Sequence, residues 1–593
     1  MNRLCHYLRN YKKESVLGPL FKLLEALFDL FVPLVMASLI DKGIANSDKP
    51  YIAKMCILLV VLAIIGLTCS VTAQYFAAKA AAGFGSELRH DLFSHILTFQ
   101  YSEVDRIGTS TLITRMTSDI NQVQSCVNMS LRLLLRSPFI VVGALISAFF
   151  IDIKAALIFA VTIPVLAIIV YGIMLITMPM FKAVQSHLDQ VMTRTRENLT
   201  GVRVIRAFNR EGYELGEFEK ENGLLYKSQQ KTGFISGLTN PLTFIVINLA
   251  TAWLIYAGAL RIDGGLLTKG QLIAMVNYMT QILVELVKLA NLIVMLTKAL
   301  ACFSRIEHVL DTETSMKDVK GEAPKDKNDT PFMEFSNVCL RYGDSSADSL
   351  SDISFSVKKG DIIGIIGGTG SGKSSLVNLI PRFYDITGGS IKLSGNELKA
   401  YPLNELRKKI GIVPQRSQLF SGTIRDNLRF GNPDATDEEL WDAVRTAQGE
   451  EVVKGKENGL DSIVEQGGRN FSGGQKQRLT IARALVKKPE ILILDDSSSA
   501  LDFATDAALR HAIKDMKSAP TMFIVSQRTS SIQFADKIIV LDDGRAVGIG
   551  THEELLDSCD IYKEIYDSQF KRPEEVLAEE ARRKAKENGG VGA

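Results

Sequence analysis

The sequence predicts a multi-domain chain in which an all-α membrane domain precedes an α/β domain. Three observations lead to this prediction. The chain has 593 residues, of which 46% are hydrophobic, and its longest apolar runs lie in the first half. From Pro331 onward, short strand-like apolar runs alternate with helical ones, as in an α/β domain. A glycine-rich loop that ends in lysine and serine, Gly367–Ser374, stands between one such strand and the next helix.

Composition excludes several other classes of protein. The formal net charge is +2, so no basic field indicates a nucleic-acid partner. The seven cysteines are scattered without a C-x-x-C pair, which argues against a disulfide framework or a zinc site. Residues 1–15 are basic but lack an apolar core, so we expect no cleaved signal peptide. We expect these residues to form an amphipathic helix on the inner membrane face, the alternative being a frayed soluble terminus.

Residues 1–310 are predicted to form a transmembrane domain of six helices. Each of six apolar segments is near or above the length of about 20 residues that spans a bilayer. The long links 79–132 and 181–239 are rich in arginine, lysine and helix-forming residues. By the positive-inside bias, these links and both termini lie in the cytoplasm, and the helices should continue beyond the bilayer. The spans are predicted near 17–40, 55–78, 133–152, 155–180, 240–262 and 268–298.

A few ionisable residues lie inside the apolar segments. Glu25 and Asp29 are four residues apart and share one helix face, and Glu285 lies three residues before Lys288. Ionisable groups at membrane depth usually face a partner or a wet cavity. One hypothesis makes Glu25, Asp29 and Glu285 contacts for a cationic substrate. The alternative, which we favour for Lys288, is that these groups pair between helices or lie near the inner boundary of the membrane.

The remaining chain is predicted to contain a linker, a nucleotide domain and a tail. Residues 311–330 are polar and charged, which is typical of a domain boundary. Residues 331–570 carry the alternating strand and helix pattern. Residues 571–593 are charged and helix-prone at first, and no function follows from them.

The glycine-rich loop fits the pattern G-x-x-x-x-G-K-[ST] of a phosphate-binding loop. Its glycines allow successive backbone N–H groups to point at one anion. Lys373 is expected to reach the β- and γ-phosphates, and the Ser374 hydroxyl to bind Mg²⁺. The helix that follows directs its N-terminus at the phosphates. The candidate phosphate-binding residues are Gly367, Gly368, Thr369, Gly370, Ser371, Gly372, Lys373, Ser374 and Ser375.

Other residues of this half are candidates for the same site. Tyr342 could stack on a nucleobase, although a lone aromatic residue more often packs in the core. Gln415 could bind Mg²⁺ or orient water. A buried strand, Ile491–Leu494, ends at Asp495, whose carboxylate is placed to hold Mg²⁺. A second glycine-rich turn feeds a helix and offers another phosphate cradle, formed by Ser472, Gly473, Gly474 and Gln475.

Taken in this order, the motifs resemble those of an ATP-binding-cassette (ABC) exporter half-transporter, and the resemblance covers nearly the whole chain. It implies a type I exporter membrane domain, a cytoplasmic nucleotide-binding domain, and the cofactors ATP and Mg²⁺ in a multi-pass protein of the cell membrane. Gly108–Asp119 and Gly201–Arg210 resemble loops whose coupling helices press on the nucleotide domains. The remaining segments resemble Walker A (Gly367–Ser374), Walker B (Ile491–Asp495), the adenine-stacking loop (Tyr342), the glutamine loop (Gln415), the signature (Phe471–Gln475) and the family aspartate loop (Ser499–Asp502).

The chain departs from the family pattern at two catalytic positions. Where the family has a glutamate general base, this chain has Asp496, and where it has the switch histidine, this chain has Gln527. Aspartate is one methylene shorter, and a carboxylate withdrawn by roughly 1 Å costs on the order of 100-fold in rate. Glutamine can donate a hydrogen bond but cannot relay a proton near neutral pH. All seven histidines lie elsewhere in the sequence.

The resemblance implies head-to-tail pairing of nucleotide domains, and the two departures spare binding while affecting catalysis. We therefore expect a heterodimer with a second half-transporter, in which this chain holds a low-turnover ATP site and lends its signature to a competent one. The expected cargo is a small amphipathic compound of the multidrug type. The alternatives are a lipid or peptide translocator, a slow homodimer, and an ATP-gated channel or nucleotide sensor. Six apolar spans argue against a soluble ABC protein that acts on macromolecules.

Overall fold

The computed structural model describes residues 2–570, except 315, 317, 320, 328–329, 344–346, 498–499 and 517–518. The tail predicted for residues 571–593 and Ser499 of the aspartate loop lie outside the described residues. The chain divides into two compact units. The first contains residues up to 98 together with 109–313, and the second contains residues 99–108 together with those from 314 onward.

Long helices form the first unit. Six helical runs of 39 to 53 residues are long and apolar enough to cross a membrane, one for each predicted span, so the prediction of six spans is confirmed. At 1.5 Å per residue they are ~60–80 Å long, whereas the bilayer core is about 30 Å thick. The α-helices described in residues 2–310 are α1 (Asn2–Leu8), α2 (Lys12–Ser38), α3 (Lys49–Leu97), α4 (Tyr101–Ile107), α5 (Thr109–Thr114), α6 (Ile120–Leu133), α7 (Arg136–Ile151), α8 (Ile153–Thr200), α9 (Val202–Ala207), α10 (Glu211–Gly237), α11 (Thr239–Asp263) and α12 (Lys269–Leu310).

Small residues allow α2 and α3 to pack closely. Ala73 and Ala77 of α3 are fully buried, and a Cβ atom at Gly18 of α2 would lie 3.4 Å from the backbone nitrogen of Ala77. Small side chains at helix contacts are typical of membrane bundles, where close backbone approach supplies the packing energy. The N-terminal α1 adds a buried Tyr7, whose ring meets that of Phe84 edge-on at 5.9 Å.

The second unit is an α/β fold built on two main sheets. The strands are β1 (Met333–Leu340), β2 (Leu350–Val357), β3 (Ile362–Gly367), β4 (Gly388–Leu393), β5 (Asn396–Glu397), β6 (Ile410–Val413), β7 (Gly422–Thr423), β8 (Ile463–Val464), β9 (Ile491–Asp495), β10 (Thr521–Val525), β11 (Lys537–Asp542) and β12 (Arg545–Gly550). The central sheet has the strand order β12-β11-β3-β10-β9-β6, and a four-stranded antiparallel sheet has the order β2-β1-β4-β5.

Helices cover the central sheet and complete its core. They are α13 (Lys373–Leu379), α14 (Leu403–Lys408), α15 (Ile424–Arg429), α16 (Asp437–Thr446), α17 (Glu450–Lys454), α18 (Gly473–Val486), α19 (Phe503–Lys514), α20 (His552–Ser558) and α21 (Asp560–Phe570). Strands β3 and β9 are both parallel to β10, which lies between them, and Val525 of β10 is paired with Ile365 and with Asp495. The loops that follow these strands therefore leave the sheet at one edge, where α/β folds bind ligands.

Short helix α4 belongs to the second unit. A capping box of Gln100 and Glu103 begins it, and Gly108, with φ +84°, ends it. Its Tyr101 ring lies 4.5 Å from that of Phe383. The sequence placed the first coupling segment at Gly108–Asp119, but the short helix packed on the nucleotide domain lies just before Gly108. The reason is that the helix stop is Gly108 itself, and the residues after it begin the next long helix.

Candidate functional site

The phosphate-binding loop joins β3 to α13, and its glycines are required by its geometry. Gly370 and Gly372 have φ values of +85° and +94°, which favour glycine. A Cβ atom at Gly367 would lie 2.0 Å from the carbonyl oxygen of Leu541 and 2.7 Å from the Ser371 hydroxyl. The loop therefore keeps its backbone amides uncovered by side chains, which is the arrangement that binds phosphate.

Lys373 occupies the centre of this loop. It is only 8% exposed, and its ammonium donates to the carbonyl oxygens of Gly367 at 2.9 Å and Gly368 at 2.5 Å. Burial lowers the pKa of Lys373, and the nearby carboxylates of Asp496 and Asp495 oppose that shift. The amine thus stands inside the cradle, where it can pair with phosphate oxygens.

Oxygen ligands for a magnesium ion converge beside the loop. The Ser374 hydroxyl donates to the Asp495 carboxylate at 3.1 Å, so both oxygens point at one place. Burial raises the pKa of Asp495, and the like charge of Asp496 adds to the effect. A divalent cation would remove this penalty, because a hard cation favours the ionised carboxylate. When bound there with a nucleotide, Mg²⁺ would neutralise phosphate charge.

A cavity of 340 Å³ brings the candidate residues together. It is lined by residues of the phosphate loop and by Gln415, Asp495, Asp496 and Gln527, all of which the sequence analysis named. Further lining residues that the sequence analysis did not single out are Asp348, Ser349, Val525, Ser526, Asp543 and Gly544. The dimensions and the phosphate cradle suit a magnesium nucleotide.

The two atypical residues, Asp496 and Gln527, both line this cavity. Asp496 has φ +47°, a left-handed conformation that aspartate tolerates better than longer or β-branched side chains. Its amide donates to the carbonyl oxygen of Val525 at 3.0 Å, and its carboxylate accepts from the Gln415 amide at 3.5 Å. Gln527 follows β10 and lines the same cavity. Both residues therefore line the cavity that also holds Lys373 and Asp495.

Tyr342 stands outside the cavity lining but touches the loop. Its hydroxyl bonds to that of Ser375 at 2.9 Å, and its ring meets the Tyr384 ring edge-on at 4.9 Å. The Tyr384 hydroxyl in turn donates to Asp105 of α4 at 2.8 Å. Burial raises the pKa of both tyrosines. The contacts hold the Tyr342 ring beside the start of α13, where a base could stack on it.

The second glycine-rich turn is not part of this cavity. Among the described residues that line it, none comes from the segment Ser472–Gln475. The turn begins α18 with a capping box. The backbone N–H of Gln475 donates to the Ser472 hydroxyl at 3.3 Å, and the backbone N–H of Ser472 donates to the side-chain oxygen of Gln475 at 3.0 Å. Ser472 and Gln475 thus form an ordered helix N-terminus apart from the described lining of this cavity.

The three acids predicted in the membrane unit meet one arginine, Arg136 at the start of α7. Its guanidinium lies 2.5 Å from Glu285, 3.0 Å from Asp29 and 3.7 Å from Glu25. Two lysines and a serine complete this charged cluster: Lys288 and Ser137 bond to Glu285 at 2.9 and 2.7 Å, and Lys22 bonds to Glu25 at 2.5 Å. The cluster joins α2, α7 and α12. Sequence reasoning did not single out Arg136, although its charge at the edge of an apolar run was the available signal.

Replacing Arg136 by alanine should destabilise the membrane unit. The arginine side chain is 11% exposed and that of Glu285 only 5%, so the change would leave buried carboxylates short of a cation. Removing one partner of a buried ion pair lowers the free energy of unfolding by about 3–5 kcal/mol. We therefore expect R136A to have a clearly lower thermal unfolding temperature in detergent. Arg132→Ala, one helical turn earlier, is the matched control. R136A/E285Q should recover part of the loss; equal unfolding temperatures for R136A and R132A would contradict the prediction.

Each half of the chain matches the model of a known protein family. The model of the ABC transporter transmembrane region matches residues 15–286, and the ABC transporter model matches residues 350–499. The chain is 38% identical to the uncharacterized ABC transporter ATP-binding protein Rv1273c of Mycobacterium tuberculosis (strain ATCC 25618 / H37Rv), over 95% of this chain and 97% of the relative.

Other relatives and one solved structure carry more specific names. The chain is 32% identical to the putative multidrug export ATP-binding/permease protein YgaD of Bacillus subtilis (strain 168), over 96% of this chain and 99% of the relative. It is 28% identical to the ATP-dependent lipid A-core flippase of Yersinia pestis bv. Antiqua (strain Antiqua), over 96% and 97%. The fold matches a bacterial Atm1-family ABC exporter with ATP bound, with a TM-score of 0.79, 23% identity, and coverage of 95% of this chain and 99% of that one.

Proposed function

Because the chain belongs to the ABC transporter family, with a membrane domain and a nucleotide domain in one polypeptide, we propose that it is one half of a heterodimeric exporter. In this proposal the chain binds ATP and Mg²⁺ at a low-turnover site. A second, different half-transporter holds the competent ATP, against which this chain places Ser472–Gln475. Closure of the two nucleotide domains drives amphipathic compounds outward across the cell membrane.

The observation that carries the proposal is the contrast between binding and catalytic groups in one cavity. The phosphate cradle, Lys373 and the pair of Ser374 and Asp495 retain the contacts that bind a magnesium nucleotide. Asp496 and Gln527 occupy the positions at which the family has its general base and its switch histidine. A general base contributes typically 10²–10⁴-fold to a rate, so a site altered at both positions should bind ATP and turn it over slowly.

The separation of the signature from the chain's own cavity supports a partner. Ser472 and Gln475 form an ordered helix N-terminus, and a helix N-terminus favours phosphate. The signature keeps its glycine-rich core, so the competent site formed with a partner would retain this part of its phosphate cradle. A partner with glutamate and histidine at the two altered positions would supply the missing chemistry.

The cargo proposed for this chain is an amphipathic compound, with a preference for cations. The name of the YgaD relative refers to multidrug export, which supports this class. Of the three acids, Asp29 is the one we assign to cationic cargo, because its side chain is 41% exposed whereas those of Glu25 and Glu285 are 13% and 5% exposed. The second candidate is a lipid translocator, favoured by the similarity to the lipid A-core flippase.

Reconstitution of the chain with and without a partner tests the proposal. Alone in liposomes, the chain should bind MgATP but hydrolyse it at about 1% or less of the rate of a pair formed with a half-transporter that carries glutamate and histidine. Cationic amphipathic dyes should stimulate the pair, and stimulation by phospholipid alone would favour the lipid translocator. Rapid hydrolysis by the chain alone would refute the heterodimer. An ion current through the pair would favour the channel alternative.

A further inference from the structure

We propose that the last described helix of the nucleotide domain positions the loop after β10, and that Gln569 is the positioning residue. Helix α21 contacts this loop, here called the switch loop (residues 526–531), through the amide side chain of Gln569. The Gln569 oxygen accepts from the backbone N–H and the hydroxyl of Thr529, both at 2.9 Å, and its nitrogen donates to the carbonyl oxygen of Gln527 at 2.8 Å. One side chain thus bonds to both neighbours of Arg528.

Helix α21 is itself firmly placed, so Gln569 can act as a fixed support. Tyr562 of this helix is fully buried, and its hydroxyl lies 2.7 Å from the Nδ1 atom of His552. The His552 ring also packs on that of Tyr566 at 5.4 Å. These contacts tie α21 to α20 and to the domain core, because Tyr562 belongs to the core cluster around the central sheet.

The far side of the switch loop has a second support. Arg510 of α19 donates to the carbonyl oxygen of Ser531 at 2.9 Å, and the Ser531 hydroxyl donates to Asp506 at 3.3 Å. The loop therefore lies between α19 and α21. Arg510 bonds near the C-terminal end of the loop, whereas Gln569 bonds at Gln527, the residue that lines the nucleotide cavity. Of these two supports, Gln569 is thus the nearer to the site.

The consequence concerns which nucleotide the cavity prefers. Gln527 shares the cavity with Lys373, Asp495 and Asp496, the groups proposed to hold the phosphates and Mg²⁺. If Gln569 fixes the backbone of Gln527, loosening it should weaken contacts to the terminal phosphate and leave contacts to the rest of the nucleotide. We therefore expect Gln569 to control the preference for ATP over ADP. This part of the inference rests on the proposed nucleotide binding, whereas the support of the loop does not.

The test uses full-length Gln569→Ala and Gln569→Glu, with Ser568→Ala as the control. The Ser568 hydroxyl bonds only within its own helix, to Ile565 at 2.8 Å. In hydrogen–deuterium exchange without nucleotide, Q569A should exchange about tenfold faster in the peptide covering 527–531, since each lost hydrogen bond contributes about 1 kcal/mol. Q569E keeps the acceptor for Thr529 and should protect its amide.

Nucleotide binding by the same variants gives the second measurement. The ratio of ATP to ADP affinity should fall about fivefold in both Q569A and Q569E, because both lose the donor to Gln527. Their ADP affinity should stay unchanged, and S568A should keep the affinity ratio of the unchanged chain. Unchanged exchange in Q569A would overturn the inference, as would faster exchange with an unchanged affinity ratio. If the chain bound no nucleotide at all, the proposed function would fail and the exchange result would still decide whether Gln569 supports the loop.

Discussion

The double substitution Asp496→Glu with Gln527→His is expected to raise ATP hydrolysis by the purified chain by about 100-fold. Glutamate would extend the carboxylate by one methylene toward the attacking water, a displacement of roughly 1 Å that is worth on the order of 100-fold. Histidine would restore a group that titrates near neutral pH. Both positions already line the cavity that holds Lys373 and Asp495, so the substitutions add chemistry to an assembled site.

The backbone conformation at Asp496 gives the glutamate substitution a cost in stability. Its φ of +47° suits aspartate, and a left-handed conformation costs other residues of order 1–3 kcal/mol. The single variant D496E should therefore unfold at a slightly lower temperature than the unchanged chain, while Q527H should not. Hydrolysis is measured by phosphate release from proteoliposomes, where two copies can each complete the other's site with Ser472–Gln475.

Adding Lys373→Ala to the double variant is the control, because it removes the same site's phosphate contact. Activity that survived this third change would come from a contaminating ATPase. The prediction would be contradicted if the unchanged chain already hydrolysed ATP as fast as the double variant, or if the double variant bound ATP and stayed at background.

The second large expected effect is on nucleotide affinity: Lys373→Ala should weaken MgATP binding by about 100-fold. The buried ammonium bonds to Gly367 and Gly368 in the loop, and phosphate oxygens would replace these partners. Each charge-assisted hydrogen bond is worth about 1.5–3 kcal/mol, and a 100-fold change is about 2.7 kcal/mol, so the loss of one to two such contacts accounts for the expected change. Equilibrium binding of a fluorescent ATP analogue to the full chain measures it.

An exposed lysine of the same domain provides the comparison. Lys399→Ala alters the net charge equally but lies away from the cavity lining, and its affinity should match that of the unchanged chain. If both lysine variants bound equally well, the cradle described here would not be the nucleotide site. Measuring at two salt concentrations would separate the local contact from a general loss of charge, because screening weakens only the latter strongly.

Much of this architecture follows from local sequence patterns. Apolar length alone predicted six spans, because the hydrocarbon core sets a minimum helix length. The phosphate loop was predictable since its glycines, Lys373 and Ser374 are adjacent in sequence. Asp495 was singled out because it ends a buried strand, and Asp496 and Gln527 were singled out by their departure from the family pattern. Parallel strands end at a common edge of the sheet, so these residues were expected to lie close together.

Contacts between distant parts of the chain could not be predicted in the same way. Arg136 bonds to Asp29 and Glu285 across 107 and 149 residues, and no local period indicates which helices face each other. Gln569 lies 40 residues after Thr529 and has no sequence feature that distinguishes it. The first coupling segment was predicted too far along the chain for another reason. Glycine often ends a helix, so Gly108 marks the end of the short helix α4 and not its beginning.

The balance of charge within the membrane bundle constrains how that bundle can deform. The cluster around Arg136 contains three acidic and three basic side chains. Lys22 and Lys288 pair with acids of their own helices, whereas Arg136 of α7 keeps its partners only while α7 stays close to α2 and α12. Sliding α7 away from the other two helices would leave Arg136 and Asp29 unpaired in hydrocarbon, at a cost of several kcal/mol. These three helices should consequently travel as one rigid block, and alternating access would have to pivot at the junctions between that block and its neighbours.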